Sequence, residues 1–192
     1  MESLLVSTGV VALAEIGDKT QLLAFILAAR FKKPLPIIFG IWAATVINHG
    51  LAGALGAWIT SAISPEVLRW VLGASFIGMA IWTMIPDKIA EEETQFAKRF
   101  GVFGATFITF FLAEMGDKTQ IATVAMSAHY ADVVMVVAGT TLGMLIADVP
   151  AVFAGDKLSQ KIPMKLVHSV AAGMFALLGV ATLLGLGSDF GF

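Results

Sequence analysis

Apolar residues run through this chain in six long blocks separated by short polar breaks, and the first and fourth blocks carry charge near their middles. The blocks cover about Ser3–Ala29, Leu35–Ile59, Val67–Ile85, Gly101–Ser127, Val133–Ala154 and Leu166–Leu186. Each comes close to the ~20 mostly apolar residues a helix needs to cross a membrane. Pro34, Pro65, Pro86 and Pro163 fall at or near the block ends, as helix punctuation should. Pro150 lies inside the fifth block and predicts a kink or a cavity-lining position there. The strongly polar stretch Asp87–Arg99, with its run Glu91, Glu92, Glu93, reads as a solvated connector. The pattern therefore predicts an all-α polytopic membrane protein with six transmembrane helices.

Composition agrees with that picture and narrows it. Of 192 residues, 58% are hydrophobic and only 14% charged, with a mean hydropathy of +0.88. A soluble domain carries nearer ~25% charge to cover its surface, so lipid is the expected solvent here. A net charge of −2 creates no field that would favour nucleic acid. The absence of cysteine removes disulfides and thiolate metal sites. The start, MESLLVSTGVVALAE, lacks a basic leader region and a small-residue cleavage site, and is expected to stay as the first span.

Lys and Arg give the orientation. Arg30, Lys32 and Lys33 fall in the first loop, Lys88, Lys98 and Arg99 in the third, and Lys157, Lys161 and Lys165 in the fifth. Only Arg69 lies by a loop of the other side. The positive-inside rule then makes loops one, three and five cytoplasmic and puts both termini outside.

The charged interruptions are copies of each other. AEIGDKTQ begins at Ala14 and AEMGDKTQ at Ala113, a shift of 99 residues, and seven of the eight positions agree. The same shift sets Gly40 on Gly139 and Gly56 on Gly155. It divides the chain into a three-helix repeat over residues 1–86, an acidic cytoplasmic linker over 87–99 and a second three-helix repeat over 100–192. An odd number of spans per repeat makes the second enter from the opposite face. That is the inverted repeat of secondary transporters, with a substrate site expected near the midplane.

Glu15 lies about 12 residues into its block, which at ~1.5 Å per residue is roughly 18 Å deep, and Glu114 comes out alike. Glu15 with Asp18, and Glu114 with Asp117, are three apart and are expected on one helical face. Two such helices face to face would gather four carboxylates. A carboxylate at that depth costs at least ~2.5–3.5 kcal/mol. The bland alternative is a local ion pair, Glu15 with Lys19 at i,i+4, that merely joins helices. Against it, each motif holds two acids and one base, so the two together keep a charge of −2, which one divalent cation balances. Lys19 and Lys118 then limit the charge of the site or replace the cation when it leaves. Gly17 and Gly116 permit close backbone approach and loosen the helix.

Thr20, Gln21, Thr119 and Gln120 offer neutral oxygens, although helix-to-helix hydrogen bonding explains the threonines equally well. An all-oxygen site suits Ca²⁺, Mn²⁺ or Mg²⁺. Crowded carboxylates take up protons when a cation leaves, so the same residues can exchange a divalent ion for H⁺. Asp148, in the fifth block, is a candidate proton carrier or auxiliary ligand, or else a buried partner for lysine. Asn48 is a candidate oxygen donor lining the cavity. His49, set opposite Asp148 by the 99-residue shift, reads as a buried hydrogen-bonding residue before a ligand.

Two copies of Glu-hydrophobic-Gly-Asp-Lys-Thr, at Glu15–Thr20 and Glu114–Thr119, on the first and fourth of six spans, resemble the motif of the Gdt family of cation/proton exchangers. That family includes bacterial manganese exporters and the Golgi transmembrane protein 165 type. The resemblance implies export of Mn²⁺ or Ca²⁺ from the cytoplasm against H⁺, with the motif acids as ligands, no further cofactor and no enzyme activity. The short N-terminus fits a multi-pass protein of a prokaryotic inner membrane. Two other readings stay open on the residues alone. One is a passive divalent-cation channel. The other is an intramembrane aspartyl protease, whose Gly-x-Gly-Asp signature has Glu15 or Glu114 in place of its first glycine, and whose Tyr-Asp is absent because Tyr130 precedes Ala131.

Overall fold

In a computed structural model, residues 1–84, 100–154 and 164–185 are described, and all their regular structure is helical. The connector Asp87–Arg99 with Glu91–Glu93, the prolines Pro86 and Pro163, Gly155, and the basic residues Lys157 and Lys161 lie outside the described residues. Eight helices follow one another among those described: α1 (Glu2–Glu15), α2 (Lys19–Phe31), α3 (Pro34–Ala62), α4 (Pro65–Thr83), α5 (Gly101–Glu114), α6 (Lys118–Tyr130), α7 (Val133–Ala154) and α8 (Met164–Leu184). Four of the six apolar blocks become one helix each, and the fifth block has the bounds read from the sequence. Pro150 sits within α7, which continues past it to Ala154.

The first and fourth blocks are not continuous helices. Each breaks at its motif, giving a 14-residue helix, a short extended turn and a 13-residue helix. Ile16 and Met115 close the first pieces in extended conformation, and Gly17 (φ 84°) and Gly116 (φ 74°) turn the chain through the left-handed region. A residue with a Cβ pays steric strain there, which is why glycine stands at both places. Asp18 and Asp117 then take the N-cap positions of α2 and α6. The second pieces end alike too, on left-handed C-caps at Lys32 and Ala131.

Packing runs mainly from one half of the chain to the other. α1 lies against α7 and α8, α3 against α5, α6 and α7, and α4 against α8. Glycines make the closest crossings, and two of them correspond. A Cβ on Gly40 would stand 2.7 Å from Thr106 Cβ and 3.0 Å from the Phe103 carbonyl, whereas one on Gly139 would stand 2.9 Å from Ser7 Cβ and 2.5 Å from the Leu4 carbonyl. Ser7 and Leu4 are the 99-residue equivalents of Thr106 and Phe103, so α7 meets α1 as α3 meets α5. Small residues at such crossings let helix backbones approach without any hydrophobic drive, as lipid-embedded packing requires.

The outer face is apolar. Phe39, Trp42, Leu51, Leu55 and Trp58 of α3, Ile146 and Phe153 of α7, and Leu177 of α8 are all exposed. Helices α3 and α7 are long and apolar enough to cross a membrane, and α5 is apolar but shorter. A soluble protein rarely leaves apolar surface of that extent open to water; the surface is that of a membrane protein.

Gly40→Val and Gly139→Val are expected to lower stability by about 1–3 kcal/mol through overpacking. Gly78→Ala, at a helix-interior position with open space around it, is expected to raise stability by about 0.5–1 kcal/mol. Melting of the detergent-purified variants, followed by size-exclusion fluorescence, checks both.

Candidate metal centre

The two breaks lie side by side in the core. Glu15 is the last residue of α1 and Glu114 the last of α5, and both are fully buried. Asp18 and Asp117 begin the next helices and are almost fully buried. One carboxylate oxygen each from Glu15, Glu114 and Asp117 lies within 4.8 Å of the others. The sequence predicts four acids in one cluster; three of them come together so, and Asp18 is drawn to a lysine instead.

The local pairing of Glu15 with Lys19, the bland alternative of the sequence reading, does not occur. Once the helix breaks at Gly17, Lys19 belongs to a different helix from Glu15, and their i,i+4 relation has no meaning. The same break takes Asp18 off the face that carries Glu15. The ion pairs cross between motifs: Lys19 Nζ reaches Asp117 Oδ1 at 3.1 Å, and Lys118 Nζ reaches Asp18 Oδ2 at 2.7 Å. The two are unequal in exposure. The Lys118 and Asp18 side chains are each 1% exposed, whereas Lys19 is 22% exposed against 2% for Asp117.

The neutral residues of the motifs hold the acids and the breaks in shape. Thr20 Oγ1 donates to Glu15 Oε2 at 2.6 Å, and Thr119 Oγ1 donates to Glu114 Oε2 at 3.0 Å. Each glutamate is thereby aimed by the threonine five residues on. The other oxygen of each, Oε1, is buried with no hydrogen-bond partner. Buried polar atoms in proteins are almost always satisfied, so two orphaned carboxylate oxygens beside each other call for a ligand. The glutamines read as oxygen donors are otherwise engaged. Gly17 N–H donates to Gln21 Oε1 at 2.9 Å and Gly116 N–H to Gln120 Oε1 at 2.7 Å, bracing each break across its turn. Gln21 Nε2 also donates to the Ala147 carbonyl at 2.9 Å, tying α2 to α7.

Three more of the sequence candidates are buried polar side chains. Asp148, next to that carbonyl, is fully buried with neither oxygen hydrogen-bonded, and it lies within electrostatic reach of Glu15, Asp18 and Glu114. Asn48 donates from Nδ2 to the Phe111 carbonyl at 3.0 Å, which leaves its buried Oδ1 without a partner. His49 is fully buried, and neither ring nitrogen has a hydrogen-bond partner.

Chemically, the centre offers hard oxygen donors, no thiolate, and two lysines already bound to two of the acids. The break itself was the feature hardest to see in advance. Its signal was Gly followed by Asp, a helix-ending residue followed by a helix-capping one, in the middle of an apolar block.

The family described as "Divalent cation/proton antiporter GDT1" matches residues 3–91 and 102–189, two stretches whose starts are offset by the same 99 residues as the motifs. A Vibrio cholerae serotype O1 protein named "Putative manganese exporter" is 51% identical over 183 residues, covering 95% of this chain and 90% of its own. "GDT1-like protein 3" of Oryza sativa subsp. indica is 28% identical over 200 residues, covering 91% of this chain and 71% of its own. A GDT1-like protein of Synechocystis is 26% identical over 195 residues, covering 90% and 92%. No solved structure matches the chain.

The crossed pairs make a stability test. Asp18→Asn strips the buried Lys118 of its ion-pair partner and is expected to destabilise by roughly 3–5 kcal/mol. Adding Lys118→Gln should restore much of that loss, and a double-mutant cycle by thermal melting measures the coupling.

Proposed function

We propose, on the premise that the chain belongs to the divalent cation/proton antiporter family GDT1, that it exports Mn²⁺ from the cytoplasm in exchange for H⁺ by alternating access around Glu15, Glu114 and Asp117. The family is one of transporters, so the protein is not an enzyme, and the protease reading falls away. The observation that carries the proposal is the group of three buried carboxylates drawn from both motifs within 4.8 Å, two of them with an unpartnered oxygen.

In this reading α1 with α2, and α5 with α6, each form one broken span. With α3, α4, α7 and α8 they make six, arranged as two inverted three-helix repeats. The matching breaks, the matching left-handed caps and the corresponding Gly40 and Gly139 crossings support that arrangement. Discontinuous spans at mid-membrane are where secondary transporters place their substrate. The helix ends there leave carbonyl groups beyond their hydrogen-bonded turns, and the starts of α2 and α6 present positive dipole ends to the acids.

The chemistry follows from charge. Two motifs keep −2 after their lysines are counted, and one divalent ion cancels it. When the ion leaves, protons take its place on the same carboxylates, so outward metal flow and inward proton flow compete for one site. Asp148, buried beside the group without a partner, can carry a proton between that site and its exit. Oxygen donors accept Mn²⁺ and Ca²⁺ alike, and the 51% identical relative named for manganese favours Mn²⁺ as the substrate. The loops bearing Arg30, Lys32 and Lys33, and Lys165, face the cytoplasm by the positive-inside rule.

In proteoliposomes with an internal pH probe, Mn²⁺ movement is expected to drive opposite proton movement and to respond to an imposed pH gradient. Flux that follows voltage and ignores the pH gradient would mean a channel and would sink the exchange mechanism. Glu15→Gln and Asp117→Asn should each cut transport beyond the ~10–100-fold loss typical of a supporting residue, with folding intact by size exclusion.

A further inference from the structure

The two lysines of the motifs hold equivalent positions, yet their surroundings differ, and the difference falls on the acid that completes the three-carboxylate group. Lys118 and Asp18 form a closed pair, 2.7 Å long and sealed on both sides, and Asp18 is outside that group. Lys19 reaches Asp117 at 3.1 Å and keeps 22% of its side chain exposed. Asp117 is inside the group, alongside Glu15 and Glu114, whose Oε1 atoms have no partner. Two of the three carboxylates thus have an oxygen open to a cation, and the third has its Oδ1 held by an ammonium on a flexible four-carbon stem and its Oδ2 only 3.5 Å from the Thr119 hydroxyl.

We propose that Lys19 is a tethered competitor of the transported cation: its ammonium occupies the Asp117 carboxylate in the metal-free site and must be displaced before the third ligand is available. Lys118 has the other role in this conformation, a fixed strut that keeps Asp18 out of the group. The proposal rests on the reading of Glu15, Glu114 and Asp117 as ligands and adds what sets their affinity.

The physical reasoning is a comparison of two cations for one anion. A divalent ion with three carboxylates outcompetes a single ammonium, and the displaced Lys19 has a partly open side to move to. Lys118 has none, since removing it from Asp18 would leave a buried ammonium in a low-dielectric surround. When the metal departs, Lys19 returns and limits the repulsion among the empty carboxylates. It thereby weakens binding and at the same time eases the return of the unloaded site. A residue acting so is specific for divalent over monovalent ions, because a single positive charge gains nothing by displacing another.

The test uses purified full-length protein in detergent with Mn²⁺ itself as probe, its binding followed by electron paramagnetic resonance, and transport measured in proteoliposomes. Lys19→Gln is expected to bind Mn²⁺ at least about tenfold more tightly, a modest part of what a unit charge a few Å away exerts. It should also lower both KM and maximal transport rate. Lys19→Arg, which keeps the charge, should restore wild-type behaviour. Lys118→Gln should lower the melting temperature and tighten Mn²⁺ binding less than Lys19→Gln does.

A second measurement needs no variant. Acetic anhydride labelling of wild-type protein, read by mass spectrometry, should mark Lys19 more heavily when Mn²⁺ is bound, with Lys118 unreactive in both conditions. Unchanged affinity in Lys19→Gln, equal tightening in Lys118→Gln, or Lys19 labelling that ignores Mn²⁺ would each overturn the assignment, provided that wild type binds Mn²⁺ and Glu15→Gln does not. Should wild type show no Mn²⁺ binding that depends on Glu15, the ligand reading itself fails, a result distinct from failure of the lysine's role alone.

Discussion

Burying carboxylates in an apolar medium is the constraint from which the rest of this structure follows. An isolated ionised acid there is too costly to keep, and a lysine three or four positions along the same helix would have been the simplest remedy. The chain takes another route. It breaks both helices at Gly17 and Gly116, so that each aspartate begins a new helix and meets the lysine of the opposite motif. The charge of either motif is balanced only when the halves are in register, and the corresponding glycine crossings of α3 on α5 and α7 on α1 hold that register. Thr20 and Thr119 then aim the two glutamates, whose remaining oxygens are left for something other than protein.

Much of this was legible in the residues. Apolar block length identified the elements, to the residue in the case of Val133–Ala154. The 99-residue repeat marked Glu15, Asp18, Glu114 and Asp117 as belonging together, of which Glu15, Glu114 and Asp117 come within 4.8 Å of one another, and the surplus of acids over lysines pointed to a cation. Family membership is consistent with the same motifs. What stayed hidden has one physical origin. Helical periodicity assumes an unbroken helix, and under it Glu15 and Asp18 share a face and Lys19 lies one turn from Glu15. A three-residue break cancels every i,i+3 and i,i+4 inference that crosses it. The glutamines show the same thing: Gln21 and Gln120 looked like spare oxygen donors, but the break frees the amides of Gly17 and Gly116, and those amides claim the glutamine oxygens.

The inequality of the two lysines could not have been read from identical motifs at all. It belongs to one conformation of a pseudo-symmetric pair, in which the sealed Lys118 side and the half-open Lys19 side differ while the local sequences do not. A transporter that works by exchanging two such arrangements needs no separate machinery for each. Under the alternating access proposed above, the same parts with roles traded between halves would describe both ends of the cycle.

The crossing of the ion pairs also bears on how such a protein can change over time. Each motif is corrected by the other, so a charge altered in one half is felt as a defect in its counterpart 99 residues away. Neither half can drift alone, and a replacement of Asp18 is tolerated only with an answering replacement at Lys118. A half of this chain on its own would carry two buried acids against one lysine, and neither its aspartate nor its lysine would meet the partner it has here. Under the inverted arrangement proposed above, the duplicated motif retains, within a single chain, the interface of a pair of upside-down partners.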